Sequence, residues 1–386
     1  MSAATPGSSG APMLGRERVA AAFRLEPTDK VPIYQAGFSS RAASLVLGRE
    51  AFVGGGIQQY REARALMQGG YAHAEFLERS FTDAAELCEK LDLDLVRTGY
   101  WRKEEKPIAA LDELTFQYAN GEVWRFDPPT ETYGCVSNPL PAATPEELTR
   151  LADQEVREAE AFAPTEADFP EHQRAVERFG ATRAIPGGGV SIAVPRDDAW
   201  LEAIVVSPDV VGRMLDAQVI RAQKCAPVMA RLGLPYCFGG GDFAGRSGPF
   251  YSPRFFHQYM LPRLSLISEA CHAAGVFHLF ASDGDLWPVA RDLFGASGVD
   301  GYYEVDGNFM PLARLRDAFP RLKLLGGIRS EVLHRGTEDE VRREAKTAVE
   351  TARQIRGCIV GCSNQIVAPT PERNLWAMIE TVDRYR

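Results

Sequence analysis

Eight short β-rich runs recur along the chain, each bounded by Gly, Pro or polar clusters and followed by a segment of helical periodicity, and this alternation constrains the fold most. They are residues 31–37, 93–98, 183–190, 236–240, 276–281, 301–305, 322–327 and 358–361. Strand–helix alternation demands parallel pairing, because each crossover returns the chain to the same end of the sheet. Eight units predict one α/β domain, a (β/α)8 TIM barrel; the competing architecture is an open doubly wound sheet. No G-x-G-x-x-G follows the first run and no G-x-x-x-x-G-K-[ST] occurs, so nucleotide-binding open sheets lose support. The runs Gly54-Gly55-Gly56 and Gly187-Gly188-Gly189 read as turn or close-packing glycines rather than phosphate cradles.

Helix boundaries are legible. Gly15 to Phe23 reads as a short amphipathic helix. Ser207-Pro208, Ser252-Pro253 and Thr370-Pro371 each put a capping hydroxyl before a Pro suited to the first helical position. Thr144 to Glu147 and Thr337 to Glu340 read as capping boxes, and Gly233 and Gly275 sit where helix C-termini meet strands. The rhythm breaks between the second and third strands, at residues 99–182. There Phe116–Ala119 and Glu122–Phe126 alternate around Asn120-Gly121, predicting a hairpin with a type I′ turn, and helices follow at 145–162 and 170–179. We read 99–182 as an insertion over the strands' C-terminal ends; a second small domain is the alternative. Residues 1–13, rich in Ser, Gly, Ala and Pro, read as a flexible tail, and 14–386 as the barrel.

The 386 residues carry 43 Lys plus Arg against 52 Asp plus Glu, a net charge of −9. With no basic block, binding to nucleic acid or an anionic membrane is not expected, and no apolar run reaches the ~20 residues of a spanning helix. Seven cysteines without a C-x-x-C pair fit a reducing, cytoplasmic compartment.

A barrel's active site lies where its strands end at their C-termini. Five carboxylates converge there on the strand assignment: Asp242, Asp283, Asp285, Glu304 and Asp306. Crowded like charges require a cation, an arginine or a raised pKa, and Arg246 and Arg329 are candidate counter-charges. Asp283 and Asp285 otherwise cap the helix starting at Leu286. Cys358 and Cys362 share a strand face, with Cys362 at the mouth as a candidate thiolate or a plain buried thiol. His278 lies an odd number of residues from Asp283, so it faces the helices if Asp283 faces the axis, and is expected to be structural. His257, His272 and His334 lie in or beside helices and read the same way, and Phe255, Tyr259 and Pro262 read as core and cap.

Several passages in order resemble the uroporphyrinogen decarboxylase superfamily. They are Gly15-Arg16-Glu17-Arg18-Val19, Glu26-Pro27-Thr28-Asp29-Lys30-Val31-Pro32, the G-D-x-x-x-x-x-G-P-x-x-S-P of Gly241 to Pro253, Ser282 to Pro288, Gly298-Val299-Asp300-Gly301, and Pro369 to Asn374. The resemblance implies the same barrel and an enzyme that is either a porphyrinogen decarboxylase or a methyltransferase working with corrinoid proteins, often with zinc. Departures from the pattern decide between branches. The arginines flanking Gln-Ala-Gly in the decarboxylases are missing around Tyr34-Gln35-Ala36-Gly37, with Arg41 coming later. No acid stands in Arg97-Thr98-Gly99-Tyr100-Trp101, and Asn364 replaces a late His. The zinc enzymes' His-x-Cys corresponds to Ala281-Ser282-Asp283 and their last Cys to Asn364, leaving Cys362 two residues away. The family's zinc ligands are therefore not matched; Asp283 and Cys362 are the candidate ligands if zinc or another divalent metal binds.

The resemblance thus implies methyl transfer from a small methoxy or methylammonium substrate to a corrinoid on a partner protein. Asp283, Asp242 and Glu304 would be catalytic, an acid at the mouth protonating the leaving group. Tyr34, Gln35, Arg41, Arg97, Tyr100, Trp101, Arg246, Asn364 and Gln365 would bind substrate. The alternatives are a decarboxylase or other lyase of a carboxylated small molecule, uroporphyrinogen decarboxylase itself, and a non-catalytic ligand-binding barrel.

Overall fold

The structure, a computed structural model, describes residues 11–99, 101–139 and 143–386. The insertion comes first among the regular strands: β1 (Ala109–Ala110), β2 (Thr115–Gln117), β3 (Val123–Asp127) and β4 (Thr132–Ser137) form an antiparallel sheet in that order. The expected hairpin is β2–β3, and β1 and β4 extend it. Its turn is not type I′. Gly121 has φ 85° while Asn120 stays out of the left-handed region, and Gly121 N donates to Tyr118 O at 3.0 Å. That pattern is a type I turn closed by a left-handed glycine, a commoner arrangement once the loop lengthens by a residue. Tyr60, from the helix Gly56–Gln68, packs with Phe116, Tyr118, Phe126 and Tyr133 beneath this sheet.

The main sheet is parallel: β5 (Pro186–Ser191), β6 (Tyr236–Gly240), β9 (Phe277–Phe280), β10 (Gly301–Val305), β11 (Lys323–Ile328) and β12 (Cys358–Cys362), ordered β12-β11-β10-β9-β6-β5. A small hairpin, β7 (Ala244–Gly245) and β8 (Gly248–Pro249), stands over β6. The two remaining runs are too short for regular strands but pair in parallel by single bridges: Ile33 to Val360, Tyr34 to Leu95, and Leu95 to Ala184. One apolar cluster draws Tyr34, Leu95, Ala184, Tyr236, Leu279, Leu325 and Ile359 together with Val19, Ala22 and Phe23 of α1 (Gly15–Phe23). A larger cluster packs the outward strand faces against the helices.

Thr144 and Thr337 cap their helices as boxes, and Ser252 accepts from Phe255 N at 3.1 Å. Ser207 makes no side-chain cap, because the helix Asp198–Val206 ends against it. The last helix starts one residue late, with Pro371 rather than Thr370 as its N-cap. Phe255 is core as expected, in a segment where Pro262 denies a backbone donor and residues Phe256–Met260 widen to a π-turn. Among the described residues no helix is long and apolar enough to cross a membrane, and all seven cysteines are free.

Candidate active site

The C-terminal ends of β5, β6 and β10, the segment after β9, residues 96–99 with Trp101, and the helix Pro170–Phe179 enclose a cavity of about 530 Å³. Arg97, Glu171, His172, Ser191, Asp242 and Glu304 supply its polar side chains, and Trp101, Phe238 and Tyr303 its aromatic ones. Insertion and sheet therefore build it jointly.

Tyr303 and Glu304 are adjacent yet both line the cavity, which regular strand alternation forbids. The register between β10 and β11 shifts between Tyr303 and Val305, a bulge that turns Glu304 inward. The backbone there is strained: Glu304 has φ 64°, a conformation that costs a residue with a Cβ about 1–2 kcal/mol. Opposite the bulge stands Gly326, where a Cβ would lie 2.7 Å from Val305 N, so only glycine leaves room for it. The Glu304 carboxyl has no hydrogen bond or ion pair among the described residues. Burial pushes it up to about 7; Arg97 pulls it down, and Asp283 and Asp242 push it up. This carboxyl is poised to hold and release a proton near neutral pH.

Asp283 stands behind that wall. Each of its oxygens accepts from Asn364 Nδ2 at 3.1 Å, and its backbone N donates to Asp242 Oδ1 at 3.2 Å. Burial and then the neighbouring Asp242 hold its carboxyl above the usual range. Arg196 approaches Asp242 at 3.8 Å from an exposed position. Arg97 is fixed by donating to Ala36 O at 2.8 Å and Gly99 O at 3.1 Å, and its guanidinium lies 5.6 Å from the Trp101 ring.

Other candidates lie elsewhere. Gln35 spends its amide holding the first run to the last strand, donating to Gly37 O and Asn364 O and accepting from Cys362 N. Tyr34 is buried in the interior cluster, its hydroxyl without a hydrogen bond. Arg41 is exposed on the helix Ser40–Leu47, away from the cavity lining. Arg246 is 82% exposed and approaches Glu331 at 3.9 Å beside a separate cavity of about 290 Å³ that includes Asp306. Arg329 pairs through two nitrogens with Glu344 at 2.6 and 2.7 Å, and of the five acids its charge acts on Asp306. Asp285 accepts from Trp287 N and caps the following turn. Gln365 reaches the rim by Gly55 and Trp101. Tyr100 falls outside the described residues.

Cys362 does not face the mouth. Ile359 belongs to the interior cluster, so by alternation Cys358 and Cys362 point into the outer one, and burial pushes the Cys362 thiol up to about 12. His278 faces the helices as parity requires, its Nδ1 2.9 Å from Ser268 Oγ, and burial drives it down to about 3. Glu171 and His172 are the residues that sequence reasoning missed. The Pro170 helix start was legible, but not that the helix would turn its first residues to the cavity.

The donors do not fit a metal. Among the described residues no group of three or more His, Cys, Asp or Glu could hold an ion, Cys362 points away, and Asp283 is engaged by an amide.

The site is thus a cavity with carboxylates in its wall at the C-terminal ends of a parallel α/β sheet. Residues 243–385 match the family model of uroporphyrinogen decarboxylase. No curated protein matches it significantly. Among solved structures, a methyltransferase from Methanosarcina mazei superposes with a TM-score of 0.64, covering 97% of this chain and 99% of that one at 18% identity. A vitamin-B12-independent methionine synthase candidate from Listeria monocytogenes covers 93% of this chain and 98% of its own at 15% identity and a TM-score of 0.45. The first likeness is one of fold.

Proposed function

We propose that the main sheet closes into an eight-stranded barrel spanning residues 14–386, and that its mouth moves a methyl group from a small methylated compound to a corrinoid protein in the cytoplasm. The single bridges through Ile33, Tyr34, Leu95 and Ala184, and an interior cluster fed by the same segments, support closure. A corrinoid carried by the partner would supply the nucleophile that takes the methyl group.

Glu304 carries the reading: a half-buried carboxyl, unpaired among the described residues, on a strained bulge, pushed up to about 7 at the wall of a substrate-sized cavity. When a methoxy C–O bond breaks, the methyl leaves without the bonding pair, which stays on oxygen. Glu304 donates the proton that makes this oxygen a neutral hydroxyl, and Asp242 and Asp283 keep that proton on Glu304 by repulsion until it is needed. This reassigns the acid from Asp283 to Glu304, with Asp283 and Asn364 as its electrostatic backing. Arg97 and Trp101 line the same cavity.

The full-length chain should be incubated with cob(I)alamin, in place of the partner's corrinoid, and with 2-methoxyphenol, methanol or tetramethylammonium, following methylcobalamin by its visible spectrum. We expect methylcobalamin with a methoxy substrate. Conversion of uroporphyrinogen to coproporphyrinogen in a parallel assay, or ligand binding without either product, would overturn the reading.

A further inference from the structure

Six glycines line the cavity where β5 and β6 run side by side: Gly187, Gly188, Gly189, Gly239, Gly240 and Gly241. The fold itself requires four of them and crowds the fifth, Gly187. A Cβ at Gly187 would meet Met229 and Leu234 at 3.1 and 3.3 Å. Gly189 has φ 78°, and its Cβ would lie 2.7 Å from that of Cys225. At Gly239, Gly240 and Gly241 a Cβ would collide with Val190, Ala281 and Ala193.

Gly188 is different. Its φ lies outside the left-handed region, and no atom stands within 4 Å of where its Cβ would be. The space left open is the cavity.

We infer that Gly188 is the specificity-determining position of the site, keeping one wall bare so that a flat, ring-bearing ligand lies against the backbone there. The inference rests on the proposed methyl transfer and narrows its substrate to a ring that carries the methoxy group. The remaining lining suits such a ring. Phe238 and Tyr303 stack with centroids 4.4 Å apart on β6 and β10, and Trp101 stands at the rim, 46% exposed. A flat ring can lie along the bare backbone and the aromatic side chains beside it, whereas a compact tetrahedral ammonium gains nothing from a bare backbone wall. His172 lines the same cavity with no hydrogen bond to either ring nitrogen among the described residues, leaving it free for a polar substituent on the ring.

The test is calorimetric titration of the full chain with 2-methoxyphenol as the flat probe and tetramethylammonium as the compact one. Wild type should bind 2-methoxyphenol, and Gly188→Val should weaken that binding at least about tenfold, the usual effect of extra methyl groups in a fitted pocket. Its melting temperature should match wild type, while Gly189→Ala, which the fold forbids, should melt lower. Three results would each overturn the inference: undiminished 2-methoxyphenol binding by Gly188→Val, a melting loss in it as large as in Gly189→Ala, or wild type that fails to bind 2-methoxyphenol at millimolar concentration. If the flat probe binds and Gly188→Val weakens it, yet no methylcobalamin forms, the methyl-transfer reading fails and this one stands.

Discussion

Glu304 joins two costs that a stable fold would avoid, a left-handed backbone and a half-buried carboxyl without a partner among the described residues. Its folded pKa lies above the unfolded value, so the folded state holds the proton more tightly. The group therefore does not weaken the fold below about pH 4.5, destabilises it progressively as pH rises toward about 7, and costs a constant amount above that. Glu304→Gln should remove this slope. Urea unfolding at pH 5 and pH 8 should show the variant little changed at the lower pH and more stable by on the order of 2–3 kcal/mol at the higher. Methyl transfer should fall about 100-fold or more, because glutamine has no proton to give. A variant equally stable relative to wild type at both pH values would mean that Glu304 is not the titrating group. The sequence placed a carboxylate here but not its direction. Parity correctly turned His278 outward, since β9 is regular, and fails at Glu304 because a bulge resets the count. Of the two readings of Cys362, the plain buried thiol holds, because alternation from Ile359 turns it outward on a regular strand.

At the scale of elements, the strands and capping boxes were legible because each rests on local chemistry, and the first two runs were legible as β-rich although only single bridges hold them. What could not be read was which helix covers what. The short helix α1 is the clearest case. Its Phe23 ring packs 4.3 Å from Tyr236 and 4.9 Å from Phe277, so the helix seals the N-terminal end of the sheet interior. Nothing in a nine-residue amphipathic pattern announces that burial. Phe23→Ala should empty a site that is 4% exposed and cost about 3–5 kcal/mol in urea unfolding, leaving 2-methoxyphenol binding at the far end unchanged. A loss below about 1 kcal/mol would mean that α1 does not form part of the core.

Across the whole molecule the two ends of the strands have divided labour, unpaired charge at the mouth and fully paired charge at the floor. Asp94 is the floor's centre and is wholly buried. One of its oxygens accepts from Arg18 at 2.9 Å; the other accepts from Ile33 N and from Arg386, each at 2.9 Å. Arg18 also pairs with Asp29 at 2.7 Å, and Arg386 with Asp92. One carboxylate thus ties α1, the first two strand runs and the last residue of the chain. This gives a physical reason for the Gly15-Arg16-Glu17-Arg18-Val19 and Glu26 to Pro32 passages that carry the family resemblance: they anchor the fold and stand outside the lining of the candidate site. Asp94→Asn keeps the shape but strips the charge that compensates two arginines, Arg386 being 1% exposed on its side chain. Breaking one partner of such a buried set costs about 3–5 kcal/mol, because the stranded charges cannot reach water. We expect a loss of that size in urea unfolding, with the Kd for 2-methoxyphenol unchanged in the protein that remains folded. If Asp94→Asn unfolds at the wild-type midpoint, the floor network is ornamental and this end of the sheet rests on apolar packing alone; if binding weakens at unchanged stability, the two ends are coupled and the division of labour is wrong.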